Sequence, residues 1–195
     1  IDPDIFQVKR GIEELLDIDF NTHSLYARKG LQKNSWGSSA MLISCDQLRH
    51  WALDDLIDRL HHGKIDYDDL INLRLEEQPI GELEKKWNEF DEINQNTILL
   101  HTTEKITQPW RAGLKLNSSI PPLLKFIPRA SLYKLFGKDL TFGREHPHES
   151  ISNFFFNELA ECIANNIVST EELDDAVEKK YIRHDIYHKI RPFKT

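Results

Sequence analysis

The sequence predicts an α/β protein with a mostly helical C-terminal extension. Three apolar runs have the length of strands, namely IDPDIF, SAMLISC and NTILLHTT, and helical patterns separate them. Strands that alternate with helices in this way indicate a layered α/β unit. After Trp110, prolines interrupt the chain and two amphipathic patterns follow. We therefore predict an α/β domain over residues 1–113 and a helical extension over residues 114–195 that packs on it.

The first domain is predicted to contain helices between its strands. QVKRGIEELLDI predicts a short helix or helical turn with Ile12, Leu15 and Leu16 on one face. Ser44 and Gln47 fit a capping box for a second helix that ends at Gly63, and DYDDLINLRLEE predicts a third. The intervening SLYARKGLQKNSWGS is predicted to be a loop.

The extension contains two helical patterns, ESISNFFFNELAECIANN and STEELDDAVEKK. Ser169 and Glu172 fit a capping box at the start of the second pattern. The phenylalanines at 154–156 are expected to pack against the α/β domain. The apolar faces of these helices suggest too small a core for the extension to fold alone.

Composition and charge restrict the class of protein. The net charge of −7 argues against a general nucleic-acid binder, which normally carries a basic face. Residues 115–144 are locally basic, which suits phosphates, an anionic membrane face or a protein partner. Cys45 and Cys162 lie in apolar runs without metal-site spacing, so we expect reduced core cysteines in a cytoplasmic protein.

Three side chains suggest a metal site. Asp2 and Asp4 flank a proline at a predicted strand end, and His101 follows another predicted strand. We expect parallel strands to bring these ends to one edge of a sheet, where ligands bind. Two carboxylates with an imidazole suit Mn²⁺ better than an all-oxygen Mg²⁺ site.

Four stretches, taken in order, resemble one enzyme family. DPD matches its D-x-D motif, GSSAMLIS resembles its N-x-G-x-M/L-L-I strand, and YDDLIN resembles its Q-D-x-L-N motif. KKWNEFDEI followed by LLHTTEKITQPW resembles its W-N segment and H-x-x-G-x-x-K-P-W motif. Residues 1–113 thus resemble the C-terminal two-thirds of GT-A-type nucleotide-sugar glycosyltransferases, in particular the glycogenin-like group that includes bacterial lipopolysaccharide galactosyl- and glucosyltransferases.

The resemblance implies a metal-dependent hexosyltransferase. It would move a sugar from a UDP-linked donor to a glycan, lipid-linked or protein acceptor with retention of configuration, and it would use Mn²⁺ or Mg²⁺. Carried over by position, the family's functional residues are metal ligands at Asp2, Asp4 and His101, sugar contacts at Ser38, Ser39 and Asn72, and a catalytic carboxylate at Asp69. Asp68, which we also predict to be catalytic, stands where the family has glutamine.

The segment after His101 departs from the family pattern. Gln108 stands where the family has a lysine that contacts the diphosphate, and the segment is one residue longer and lacks the family's glycine. Lys105, Arg111 or Lys115 would then supply the positive charge, and Trp110 would form a wall of the donor site.

The resemblance also implies a partial Rossmann-like unit. In the family, the half that binds the base and ribose precedes D-x-D, and no counterpart is present in this sequence. A further N-terminal segment or a partner chain would supply it, and the chain alone is expected to be inactive. Two other functions stay open, a non-catalytic glycosyltransferase-like interaction module and a metal-dependent phosphohydrolase.

Overall fold

The structure is a mixed α/β fold in two compact units, Ile1–His101 and Thr102–Thr195. It is a computed structural model that describes four stretches, residues 2–20, 23–31, 35–116 and 141–190. The units divide after His101, whereas the sequence predicts a boundary at residue 113. Most of the basic segment 115–144 lies outside the described residues.

The described elements are short strands and helices. The strands are β1 (Ile5–Gln7), β2 (Leu25–Lys29), β3 (Trp36–Ile43), β4 (Gly81–Glu82), β5 (Glu89–Phe90) and β6 (Leu99–His101). The α-helices are α1 (Leu53–His61), α2 (Tyr67–Ile71), α3 (Glu149–Ala164), α4 (Thr170–Glu178) and α5 (Ile186–Lys189). Short 3₁₀ turns lie at Ile12–Asp17, Cys45–Gln47, Lys85–Trp87 and Pro109–Arg111. None of the helices in the described stretches has the length and apolar character required to cross a membrane.

The first sheet has the order β1-β6-β5. Strand β6 confirms the strand predicted in NTILLHTT, and it pairs antiparallel with β1 and parallel with β5. The expected parallel arrangement of β1 and β6 is therefore wrong. In the observed register Ile5 lies opposite His101, so the residues just before β1 lie beside the last residue of β6.

The second sheet has the order β3-β2-β4. Strand β3 confirms the strand predicted in SAMLISC, but β2 lies in SLYARKGLQKNSWGS, where a loop was expected. Leu25 and Ala27 are buried on one face of β2, and the pairing with β3 shifts between Ala27 and Arg28. Arg28 is also buried, because its guanidinium stacks 3.8 Å from the Phe90 ring centroid and pairs with Glu89. Because the charged Arg28 takes a buried position in β2, the sequence of this strand does not show the usual alternation of apolar and polar residues.

The helices of the first unit are shorter than predicted. Residues Cys45–Gln47 form only a 3₁₀ turn, the side chain of Ser44 caps no helix, and α1 begins at Leu53. Gly63, with φ of +65°, follows the helix as expected for a C-terminal glycine. Leu16 was expected on an apolar face but is 82% exposed, because the 3₁₀ turn points it away from the core.

The described residues of the first unit form two hydrophobic clusters. Leu83, Trp87, Ile98 and Leu99 form one of them, behind the sheet that carries His101. The other lies under the second sheet and consists of Leu25, Ala27 and Leu73, with Trp36, Met41, Trp51 and Ile80 packed against it. Cys45 is exposed and Cys162 is half-buried, so the predicted core position of Cys45 is wrong, although both thiols are free.

The second unit has a core of its own. Helices α3 and α4 confirm both predicted helices, and Ser169 and Glu172 form the expected capping box. Phe156, Leu173 and Ile186 are buried together. The packing of the extension on the α/β domain stays a prediction.

Candidate functional site

Asp2, Asp4 and His101 converge at the start of β1. The turn that precedes β1 is closed by a hydrogen bond from Ile5 N to Asp2 O of 3.2 Å, and the antiparallel register sets Ile5 opposite His101. His101 Nε2 lies 3.6 Å from Asp4 Oδ1. One ligand atom from each of the three residues lies within 4.8 Å of the other two. The predicted metal ligands are thus close together.

The turn is also tied to the second sheet. Asp2 N donates a hydrogen bond of 2.9 Å to Ser39 O on β3. Asp2 is exposed, whereas Asp4 and His101 are half-buried, so the cluster opens to solvent on the Asp2 side. A ligand can therefore approach without unfolding the turn.

His101 has a polar, partly buried environment. Its Nδ1 lies 3.1 Å from Ser39 Oγ and 3.1 Å from Asn88 Oδ1. Burial lowers the pKa of the imidazole, and the nearby carboxylates of Asp4 and Asp2 oppose that shift without cancelling it. The ring is therefore uncharged at neutral pH, which is the form that binds metals.

The donor set fits one divalent cation. Ligand atoms bonded to Mg²⁺ at about 2.1 Å lie up to about 4 Å apart, so the observed spread needs only a small closure of the side chains. Two carboxylates and one neutral imidazole suit Mn²⁺, and three protein ligands leave coordination positions for ligand oxygens.

A cavity of about 340 Å³ adjoins Asp2 of this cluster. Its polar lining includes Asp2, Ser38, Asp69 and Glu76, and the other lining side chains are mainly apolar, among them Met41. The structure thus brings one predicted metal ligand, one predicted sugar contact and one predicted catalytic carboxylate to the same cavity.

Asp69 also has a structural role that accounts for its conformation. Its Oδ2 accepts a hydrogen bond of 3.0 Å from Asp66 N in the capping box of α2, and its Oδ1 lies 3.4 Å from Arg74 Nη1. The backbone hydrogen bond from Asp66 is the main reason that the pKa of Asp69 is lowered. Asp69 is consequently ionised and already partnered at neutral pH.

The other predicted site residues of the first unit lie elsewhere. Asp68 is exposed on α2 and is not among the residues that line the cavity. Asn72 donates from Nδ2 to Asp68 O at 2.9 Å and so terminates α2. Ser39 is buried, and its hydroxyl accepts a hydrogen bond of 3.0 Å from Asn88 Nδ2. The hydroxyl of Ser39 thus faces His101 and Asn88.

The residues proposed for the diphosphate belong to the second unit. Lys105 and Lys115 are exposed, and Arg111 is half-buried. Gln108 is buried, and its Nε2 donates to Thr102 O at 3.3 Å. The ring of the half-buried Trp110 lies 5.1 Å from the ring of Phe155, measured between centroids.

Asn88 is the residue of the site that sequence reasoning missed. It is the asparagine of the W-N segment, which contributes to the family resemblance but for which no functional role is predicted. Its complete burial depends on its contacts with Ser39, His101 and Arg28, each more than ten residues away in sequence. The only local signal was an asparagine directly after a core tryptophan.

No protein-family model, curated protein or solved structure matches this chain. The resemblance in its four motifs therefore stays a prediction, and the geometry of the described residues has to support any function.

Proposed function

We propose that this protein is a metal-dependent glycosyltransferase that moves a sugar from a UDP-linked donor to a glycan, lipid-linked or protein acceptor with retention. Residues 1–113 would be the C-terminal part of a GT-A domain. The observation that carries the proposal is the convergence of Asp2 with Asp4 and His101, together with the cavity that Asp2 lines along with Ser38 and Asp69.

The cavity has the features of a small-molecule site. Its volume of about 340 Å³ lies at the lower end of the usual range, about 300–1,000 Å³, and its polar groups are few. A hexose presents hydroxyl groups at its rim and C–H groups on its faces. Ser38 and Asp2 supply polar partners for the hydroxyls, and Trp51 and Met41 supply apolar contacts for the faces.

The residues of the site have separable roles. Asp2, Asp4 and His101 would hold a divalent cation, which when bound supplies Lewis acidity at the leaving diphosphate. Ser38 orients the sugar through its hydroxyl. Asp69 is ionised and already hydrogen-bonded, so it acts through its fixed negative charge, which stabilises an oxocarbenium-like centre, and not by proton transfer.

The test is release and transfer of the donor sugar, measured with and without EDTA. The assay uses the 195-residue chain and, in parallel, a protein in which a nucleotide-binding half precedes it, as the resemblance requires. Asp4→Ala should lower turnover by about 100-fold or more, because loss of a ligand weakens the metal site. His101→Ala should cost less, because two carboxylates still hold the ion. The exposed Asp17 lies outside the site, so Asp17→Ala is the matched control.

The outcomes separate the alternatives. Full turnover in EDTA contradicts the proposal. Mn²⁺ binding that depends on Asp4, without release of any sugar by either protein, favours the non-catalytic module. Hydrolysis of simple phosphate esters without preference for a sugar nucleotide favours the phosphohydrolase.

A further inference from the structure

We infer that Asn88 is a positioning residue that holds His101 in the tautomer with a proton on Nδ1, so that Nε2 is the metal-binding atom. The inference rests on the proposed metal-dependent function and goes beyond it, because Asn88 touches neither the cavity nor the ligand atoms. In this inference Asn88 aligns the two parts of the metal cluster, which are the imidazole of His101 and the turn that carries Asp2.

The side chain of Asn88 joins the two sides of the cluster. Its Oδ1 lies 3.1 Å from His101 Nδ1, and its Nδ2 donates to Ser39 Oγ at 3.0 Å. The main-chain oxygen of Ser39 in turn accepts the hydrogen bond from Asp2 N. One fully buried side chain therefore connects the imidazole to the strand that holds the turn of Asp2.

The amide oxygen determines which ring nitrogen carries the proton. An amide oxygen only accepts hydrogen bonds, so a hydrogen bond between Asn88 Oδ1 and His101 Nδ1 forms only when Nδ1 carries the proton. Ser39 Oγ, 3.1 Å from the same nitrogen, can accept from that proton as well. A neutral imidazole then has its lone pair on Nε2, the atom that lies 3.6 Å from Asp4 Oδ1. The side chain of His101 is thus prepared for a cation shared with Asp4.

Arg28 holds the backbone on which Asn88 lies. Its Nη1 donates to the main-chain oxygen of Asn88, and its guanidinium stacks on the ring of Phe90 at 3.8 Å. The ring of Phe90 meets the ring of His101 edge-on, with centroids 5.6 Å apart. Arg28 is buried and pairs with Glu89 at 3.4 Å. Arg28, a second buried polar residue, therefore fixes the backbone position of Asn88.

The experiment measures Mn²⁺ affinity by calorimetry and the protonation of His101 by ¹⁵N NMR in the metal-free 195-residue chain. Asn88→Leu removes both hydrogen bonds at similar volume and should weaken Mn²⁺ binding by about 10–100-fold, as loss of outer-shell partners does elsewhere. Asn88→Asp keeps an acceptor for Nδ1 and should recover most of the affinity. His101→Gln identifies the resonance of His101.

Thr97→Val is the matched control for loss of a buried polar group. Thr97 is fully buried in the same unit, and its Oγ1 accepts a hydrogen bond from Asn94 N at 2.9 Å. Both Thr97→Val and Asn88→Leu should lower thermal stability, but Thr97→Val should leave Mn²⁺ affinity unchanged. If Asn88 contributed to stability alone, Asn88→Leu and Thr97→Val would have the same effects on thermal stability and on Mn²⁺ affinity.

Two results would overturn the inference. One is a proton on Nε2 of His101 in the unsubstituted chain, and the other is unchanged Mn²⁺ affinity in Asn88→Leu. If Asn88→Leu does not fold, the NMR spectrum of the unsubstituted chain and the affinity of Asn88→Asp decide the matter. A chain that binds no Mn²⁺ but carries the proton on Nδ1 contradicts the proposed function and still supports the positioning role.

Discussion

Removal of the Arg183 side chain should strongly destabilise the second unit. This side chain is 5% exposed and lies among hydrogen-bond acceptors. It donates to Glu145 at 2.9 and 2.7 Å, to Asp185 at 2.5 and 2.8 Å, and to Pro109 O at 3.3 Å. The backbone N of Arg183 also donates to Trp110 O at 2.9 Å. Arg183 therefore links the turn at Pro109–Arg111 to the segment that leads into α5.

The magnitude follows from the exposure of the partners. Removal of one member of a fully buried ion pair costs about 3–5 kcal/mol, because the other charge stays buried. Here the side chains of Glu145 and Asp185 are 53% and 31% exposed, so water can solvate them after the substitution. Loss of the hydrogen bond to Pro109 O adds about 1 kcal/mol. We expect Arg183→Met to lower the free energy of unfolding by about 2–3 kcal/mol.

The assay is urea unfolding of the whole chain, followed by a signal that reports on the second unit, such as amide exchange in α3. With a slope of about 1–3 kcal/mol per M, the midpoint should fall by about 0.7–3 M. Lys179→Ala is the control, because Lys179 and Asp175 form a pair of 2.7 Å whose side chains are 54% and 55% exposed. It should cost less than about 0.5 kcal/mol. Equal effects of the two substitutions would refute the reasoning.

Three further predictions concern pH dependence and packing. The pKa values of the two carboxylates that pair with Arg183 are lowered, chiefly by its hydrogen bonds, so their stabilisation is present at neutral pH. The difference in unfolding free energy between wild type and Arg183→Met should shrink only as the pH falls below about 4. Gly81→Ala would set its Cβ 2.3 Å from the Tyr26 ring and should cost about 1–3 kcal/mol in urea unfolding, whereas a neutral result would mean that the ring moves freely. Tyr187 donates to Asp174 at 2.7 Å, which raises its pKa to about 12, so a tyrosine absorbance step near pH 12 should disappear in Tyr187→Phe.

Local patterns predicted those elements whose signals lie within one stretch of chain. Ser169 and Glu172 are three residues apart, and their capping box formed as predicted. The apolar runs around Met41 and Leu100 are strands. Ser44 and Gln47 show the limit of such signals, because the same spacing produced only a 3₁₀ turn. A local motif competes there with the packing of the rest of the chain.

The sequence alone indicated Asp2, Asp4 and His101 as candidate metal ligands, because each lies at the end of a predicted strand and in a motif that resembles the family's. Tertiary structure decided how they meet. The antiparallel register of β1 and β6, and not parallel strand ends, sets Asp4 beside His101. Asn88 and Arg28 are buried only because partners 49 and 60 residues away satisfy their hydrogen bonds. A polar side chain can leave water only where such partners are assembled, and the distant parts of the chain that supply them come together only in the folded protein.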